Sequence, residues 1–224
     1  MKKNQINKDV SEQDLKLIFD SFIELENELK NETKQIMENE KGSGGLYKSS
    51  HFIFSVVNRA ISLNRGFVQL TNLNNYLTAI SLIRLQVDNC LRLYAMSLVD
   101  NTSEFYDSVL AGKEIRQIKD RDGNPMNDGY LATKIDSIFP DFLTLYKSTC
   151  GFIHLSNEHL KFNNKVNEIS DESLVLRTTI GGIDELEIYE EVDYSFNMFM
   201  AGKSLYKLVK EYRKEMEDIL KTDK

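Results

Sequence analysis

The sequence predicts a mainly α-helical bundle, and three observations carry that prediction. The 224 residues include two prolines and no tryptophan, which suits long uninterrupted helices because a proline inside one costs about 3 kcal/mol. Apolar residues recur three or four apart in both terminal segments. Between them, NYLTAISLIRLQVDNCLRLYAMSL, residues 75–98, is apolar on almost every face, the mark of a helix surrounded by others. The length suits one substantial core and is short for two, so a single domain over 1–224 is expected. Its parts are an N-terminal helix over 11–40, a bundle over 50–160, a small antiparallel β appendage near 165–189 and a C-terminal helix over 193–221.

Ser11 and Asp14 form a capping box, with Val10 and Leu15 placed as a hydrophobic staple. Leu15, Ile18, Phe22, Leu25 and Leu29 then follow at helical spacing. The glycines of KGSGG, Lys41 to Gly45, break the pattern, and it resumes near Ser50. The polar stretch Ala111 to Asp128, with Asp122-Gly123 and Asn124-Pro125, reads as a loop projecting from the bundle. Helical spacing returns over Tyr130 to Ile138 and again from Pro140 to about Cys150, where Gly151 bends or ends it. Ser173 to Ile180 alternates as a strand does, Gly181-Gly182 suits a turn, Ile183 to Tyr189 offers a return strand, and Lys165 to Ile169 a third. In the last helix Tyr194, Met198, Ala201, Leu205, Leu208, Tyr212, Met216 and Ile219 form one stripe, for packing on the bundle or on a partner.

A net charge of −7 works against broad attraction to nucleic acid or anionic lipid and leaves only a local patch for either. No apolar run approaches the roughly 20 residues that cross a bilayer, and no hydrophobic stretch follows the first lysines, so no membrane association is expected and the location expected is cytoplasmic. Cys90 and Cys150 lie in apolar helical patterns without metal or redox spacing and read as reduced, structural thiols.

Two constellations carry potential chemistry. Ser81, Arg84, Asp88 and Arg92 share one face of the central helix and can pair as Arg84–Asp88–Arg92. Such a row either fixes helix register or lines a solvated edge, or it offers a guanidinium fork to a phosphate. The second is YKSTCGFIHLSNEHL, Tyr146 to Leu160, which gathers His154 and His159 with Lys147 beside a glycine bend. Histidine titrates near neutral pH and serves as general acid or base, while His154, flanked by Ile153 and Leu155, also reads as a core histidine. His154 and His159 are five apart and do not share a helical face as the H-E-x-x-H pair does, so no metal site is expected.

Three motifs fail on spacing. Gly202-Lys203-Ser204 lacks a glycine at Asn197 and any preceding strand. Asp120, Asp122, Asn124 and Asp128 have Gly123 misplaced for a calcium loop and Leu131 where its glutamate belongs. Lys113, Arg116, Lys119 and Arg121 form the densest basic run, diluted by Glu114, Asp120 and Asp122 and without interleaved aromatics.

The order of SLIRLQVDNCLRLYA and, some sixty residues on, STCGFIHLS resembles bacterial helical proteins of the DUF5677 kind, themselves similar to the HEPN superfamily. The resemblance covers roughly Ser50 to Leu160. It implies a HEPN-like bundle and a homodimer, in bacterial defence or regulation. In catalytic members it implies a metal-independent ribonuclease whose motif is an arginine, four to six residues and then a histidine, with both groups assisting attack by the RNA 2′-hydroxyl. Here His154 stands for the histidine, and Lys147 is the cation at the arginine's spacing, with Arg84 or Arg92 available only through space. The leading expectation is a non-catalytic interaction module that meets a protein partner through the C-terminal stripe and the basic loop. The alternative is RNA cleavage by His154 with Arg84, Arg92 or Lys147. Asp88, Arg92, His159 and Tyr146 are the candidate binding residues, and no cofactor is expected.

Overall fold

A computed structural model describes residues 9–41, 44–154, 156–169, 174–178, 180 and 186–222. The chain is mainly helical, a bundle of long helices flanked by shorter ones. Helix α1, Glu12–Lys41, starts where the Asp14 carboxylate accepts both the N–H and the O–H of Ser11, at 2.8 and 2.7 Å. After the break, Gly44 takes a positive φ of 97°, open to glycine without a Cβ penalty. Helix α2, Lys48–Asn72, then runs to Leu73, and the left-handed Asn74 turns the chain into α3, Tyr76–Ser97, capped by the side chain of Asn75 on the Thr78 N–H.

The last helix, α8, Ile188–Thr222, starts five residues earlier than the sequence spacing placed it. It runs parallel to α1: Phe22 meets Phe199, Glu28 meets Lys203, and Asn39 meets Glu217. The Leu25 side chain packs against α8 at Gly202, where an added Cβ would lie 2.7 Å from Leu25 Cδ2. That contact accounts for the glycine of Gly202-Lys203-Ser204. Helix α2 runs antiparallel to α3, with Arg59 beside Asn89 and Asn64 beside Gln86. Leu25, Leu29, Ile53, Ala60, Val87, Leu91 and Leu205 interlock as the main core, and Phe22, Phe67, Ile80, Ile83 and Met198 continue it toward the opposite end.

Three short helices clothe α3. Helix α4, Thr102–Leu110, is capped by Asn101; α5, Asp128–Asp136, is capped by Asn127; α6, Phe142–Cys150, follows a left-handed Asp141 and receives Asp136 Oδ1 on the Leu143 N–H at 2.9 Å. Helix α6 thus starts two residues after Pro140. The stretch 111–128 does not project from the bundle. Ile115 and Met126 are buried, the Arg121 guanidinium holds the carbonyls of Ser97 and Leu98, and Asp120 closes its own turn by accepting the N–H groups of Asp122 and Asn124.

The small β appendage expected over 165–189 is not seen in that form. After the short helix α7, Asn157–Asn163, strand β1, Asn164–Ile169, pairs antiparallel with β2, Leu174–Thr178, across a register shift between Val166 and Glu168. The proposed return strand fails because Ile188 and Tyr189 belong to α8, where Tyr194 and Met198 continue a helical stripe into the core. Residues 181–185, with the Gly181-Gly182 turn, lie outside the described residues. No described helix is long and apolar enough to cross a membrane.

Candidate functional site

The polar row of α3 is tied to α5 and α6. Arg84 is 7% exposed, and its Nη2 donates to Asp128 Oδ2 at 2.9 Å, while Arg92 Nη1 meets Asp128 Oδ1 at 2.8 Å. Asp88 receives Arg92 Nη2 at 2.7 Å and Arg59 Nη1 at 3.2 Å, and lies 4.0 Å from Arg84 Nη1. The three guanidinium groups and two carboxylates leave this network one positive charge in excess. Buried ion pairs persist only with such mutual satisfaction, since desolvation alone costs several kcal/mol per ion. The Arg84 guanidinium also stacks 4.8 Å from the centre of the Tyr146 ring, a favourable cation–π geometry. Burial works against its charge, but Cys150, Asp128 and Asp88 outweigh burial and hold its pKa above the ordinary arginine value. Burial, with Cys150, raises the Tyr146 phenol.

Arg92, Asp128 and Tyr146 open onto a cleft of about 640 Å³, rimmed by Arg116 and Asn127. The expected site residues divide here. Arg84, Asp88, Arg92 and Tyr146 come together through ion pairs and stacking. His154 and Lys147 are both exposed, and neither lines the cleft. His154 therefore does not occupy the core position its flanking residues suggested; Ile153 beside it is 44% exposed. His159 is half-buried with an Nδ1 that makes no hydrogen bond. Among the described residues, no cluster of three or more His, Cys, Asp or Glu is placed to hold a metal ion.

Sequence spacing did not join Asp128, Arg59 or Arg116 to this site, although Asp128 and Arg116 stand out in the acidic and basic runs of 113–128. Asp128 stands 36 residues beyond Arg92 in a turn-rich stretch, and its partnership exists only because Asn127 starts α5 against α3. The only local signal is an Asn-Asp pair ahead of a helical pattern.

A second concavity, a groove of about 630 Å³, lies between α8, the end of α3 and the α5–α6 connection. Leu208, Met216 and Ile219 of α8 form one wall and Leu93, Met96 and Ile138 face them. Its rim carries Arg121 and Lys207 against Asp100, Glu211 and Glu215. No protein-family model matches the chain, and neither the curated proteins nor the solved structures contain a match.

Proposed function

We propose that this chain is a non-catalytic helical interaction module, a single cytoplasmic domain that receives an amphipathic helix from a protein partner in the groove beside α8. The observation that carries the reading is the groove's make-up. The C-terminal stripe and Arg121 of the basic loop line the same apolar surface, and an apolar groove between helices with a charged rim is the shape that takes the apolar face of an amphipathic helix. The wall from Lys207 to Ile219 spans about 18 Å at 1.5 Å per residue, the length of roughly three helical turns. The three carboxylates on the rim outnumber the two cations, so the occupant carries basic residues beside its apolar stripe.

The test is selection from a display library of short helical peptides. Binders with apolar residues at i, i+3 or i+4, and i+7 and flanking lysines are expected. Ile138→Asp and Ile219→Asp should each abolish their binding, and because these side chains are 50% and 52% exposed, thermal stability should stay unchanged. Peptides without that pattern, or binding indifferent to both substitutions, would overturn the reading.

The exposure of His154 and Lys147 favours a second reading, a HEPN-like, dimeric, metal-independent ribonuclease in bacterial defence. An exposed imidazole can reach a substrate proton, and an exposed ammonium can face a phosphate. Single-stranded RNA incubated with the protein and a chelator decides between the two. Cleavage that disappears in His154→Ala would establish the enzyme, and intact RNA leaves the interaction module.

A further inference from the structure

The cleft between α3 and α5 carries a positive charge that its own ion pairs leave over. Its charged lining residues are Arg92, Glu114, Arg116 and Asp128, and the pairs behind them bring in Arg84, Asp88 and Arg59. Arg59, Arg84, Arg92 and Arg116 therefore stand against Asp88, Glu114 and Asp128, with one guanidinium in excess. The carboxylates differ in what they still offer. Both oxygens of Asp128 are taken by arginines, Oδ2 by Arg84 and Oδ1 by Arg92. Arg92 uses one N–H on Asp128 at 2.8 Å and one on Asp88 at 2.7 Å, of the five that a guanidinium carries. Arg116 pairs with Glu114 in solvent, their side chains 69% and 51% exposed, and an ion pair of that kind contributes only about 0–1 kcal/mol. A ligand can displace it.

The walls of the cleft are set by the fold. Asn127, Asp128 and Gly129, at the start of the nine-residue α5, line it, and a helix start adds partial positive charge to the two arginines. Ile115 is buried at its side. The Tyr146 ring is fixed by the stacking of Arg84 at 4.8 Å.

We propose that this cleft binds a small organic carboxylate. The planar fork of a guanidinium matches a carboxylate in shape, and a single negative charge neutralises the single excess cation. A phosphate monoester brings about 1.5 to 2 negative charges and would turn the cleft net negative. The carboxylate sits between Arg92, Arg116 and the start of α5, with the organic body against Ile115 and the Tyr146 ring. The volume of about 640 Å³ falls within the roughly 300–1,000 Å³ of small-molecule sites. Glu114 is the internal competitor, since its carboxylate holds the arginine that the ligand needs. The cleft shares no lining residue with the groove beside α8, so the two sites stand or fall separately.

The experiment titrates the folded chain with sodium benzoate at constant ionic strength and follows its backbone amides by NMR. Saturable shifts are expected at Gly129 and Ile115, and none at Leu208 in the groove, with a Kd of about 1–10 mM. Phenyl phosphate should bind several-fold more weakly, and benzamidine, a cation of similar shape, should not bind. Arg116→Ala should weaken benzoate binding about fivefold and Glu114→Gln should tighten it by a similar factor. Both side chains lie in solvent, so both variants keep the fold. Benzoate shifts that do not saturate, phenyl phosphate binding more tightly than benzoate, or a benzoate affinity indifferent to both substitutions would each overturn the assignment.

Discussion

Asp128 receives a different arginine on each carboxylate oxygen, and one of them, Arg84, is almost wholly withdrawn from water. Removing the carboxylate strands that guanidinium. Asp128→Ala should therefore cost about 2–3 kcal/mol in urea-unfolding midpoints, somewhat below the range for a fully enclosed pair because Asp128 itself stays part-exposed. Arg116→Ala at the rim, paired with the exposed Glu114, should cost well under 1 kcal/mol. The row Arg84, Asp88, Arg92 was legible in the sequence because i,i+4 spacing puts those residues on one helical face whatever the fold. Its partner was not, since nothing local to Asn127-Asp128 reveals which helix they will meet. His154 shows the opposite failure: apolar neighbours in sequence suggested a core position, but the turn after α6 leaves both Ile153 and His154 in solvent.

At the scale of elements, the glycines of two helices give contrasting tests. In α8 a Cβ at Gly202 would clash with the fully buried Leu25 side chain across the seam with α1, so Gly202→Ala should destabilise by about 1–3 kcal/mol by forcing Leu25 out of its packed position. In α2 a Cβ at Gly66 would meet only Leu82 Cδ1 at an ordinary 3.5 Å. Gly66→Ala should stabilise by about 0.5–1 kcal/mol, since alanine loses less backbone freedom on becoming helical. Thermal denaturation of the two variants should move in opposite directions from the parent. Long helices were readable because amphipathic spacing repeats over many turns in α1, α2 and α8. The stretch around Ile115 and Met126 was not, because two isolated apolar residues in a polar segment carry no period. The start of α8 was misread for a related reason: over a few residues, Ile188 and Tyr189 suit a strand as well as a helix, and only the continuing stripe decides.

For the whole molecule, α1 and α2 are linked across their outer faces by Glu26, which accepts Arg65 Nε at 2.8 Å and Nη2 at 2.5 Å. Hydrogen bonding from Arg65, with help from Lys30, holds the Glu26 carboxyl at about 2 against its usual 4.5. A carboxyl depressed in the folded state contributes stability that is complete above the unfolded value and disappears as pH falls from about 4.5 toward 2. Melting temperatures measured between pH 7 and pH 3 should therefore fall more for the parent than for Glu26→Gln. Arg65 is well exposed, so the difference should be modest and shrink further in high salt.

The parallel run of α1 and α8 also has a mechanical consequence. Glu12 and Thr222 lie at opposite ends of the paired helices, because contacts advance in the same direction along both, from Phe22–Phe199 to Asn39–Glu217. Tension applied between residues 12 and 222 acts along the seam rather than across it, so its contacts carry the load together in shear instead of opening one after another.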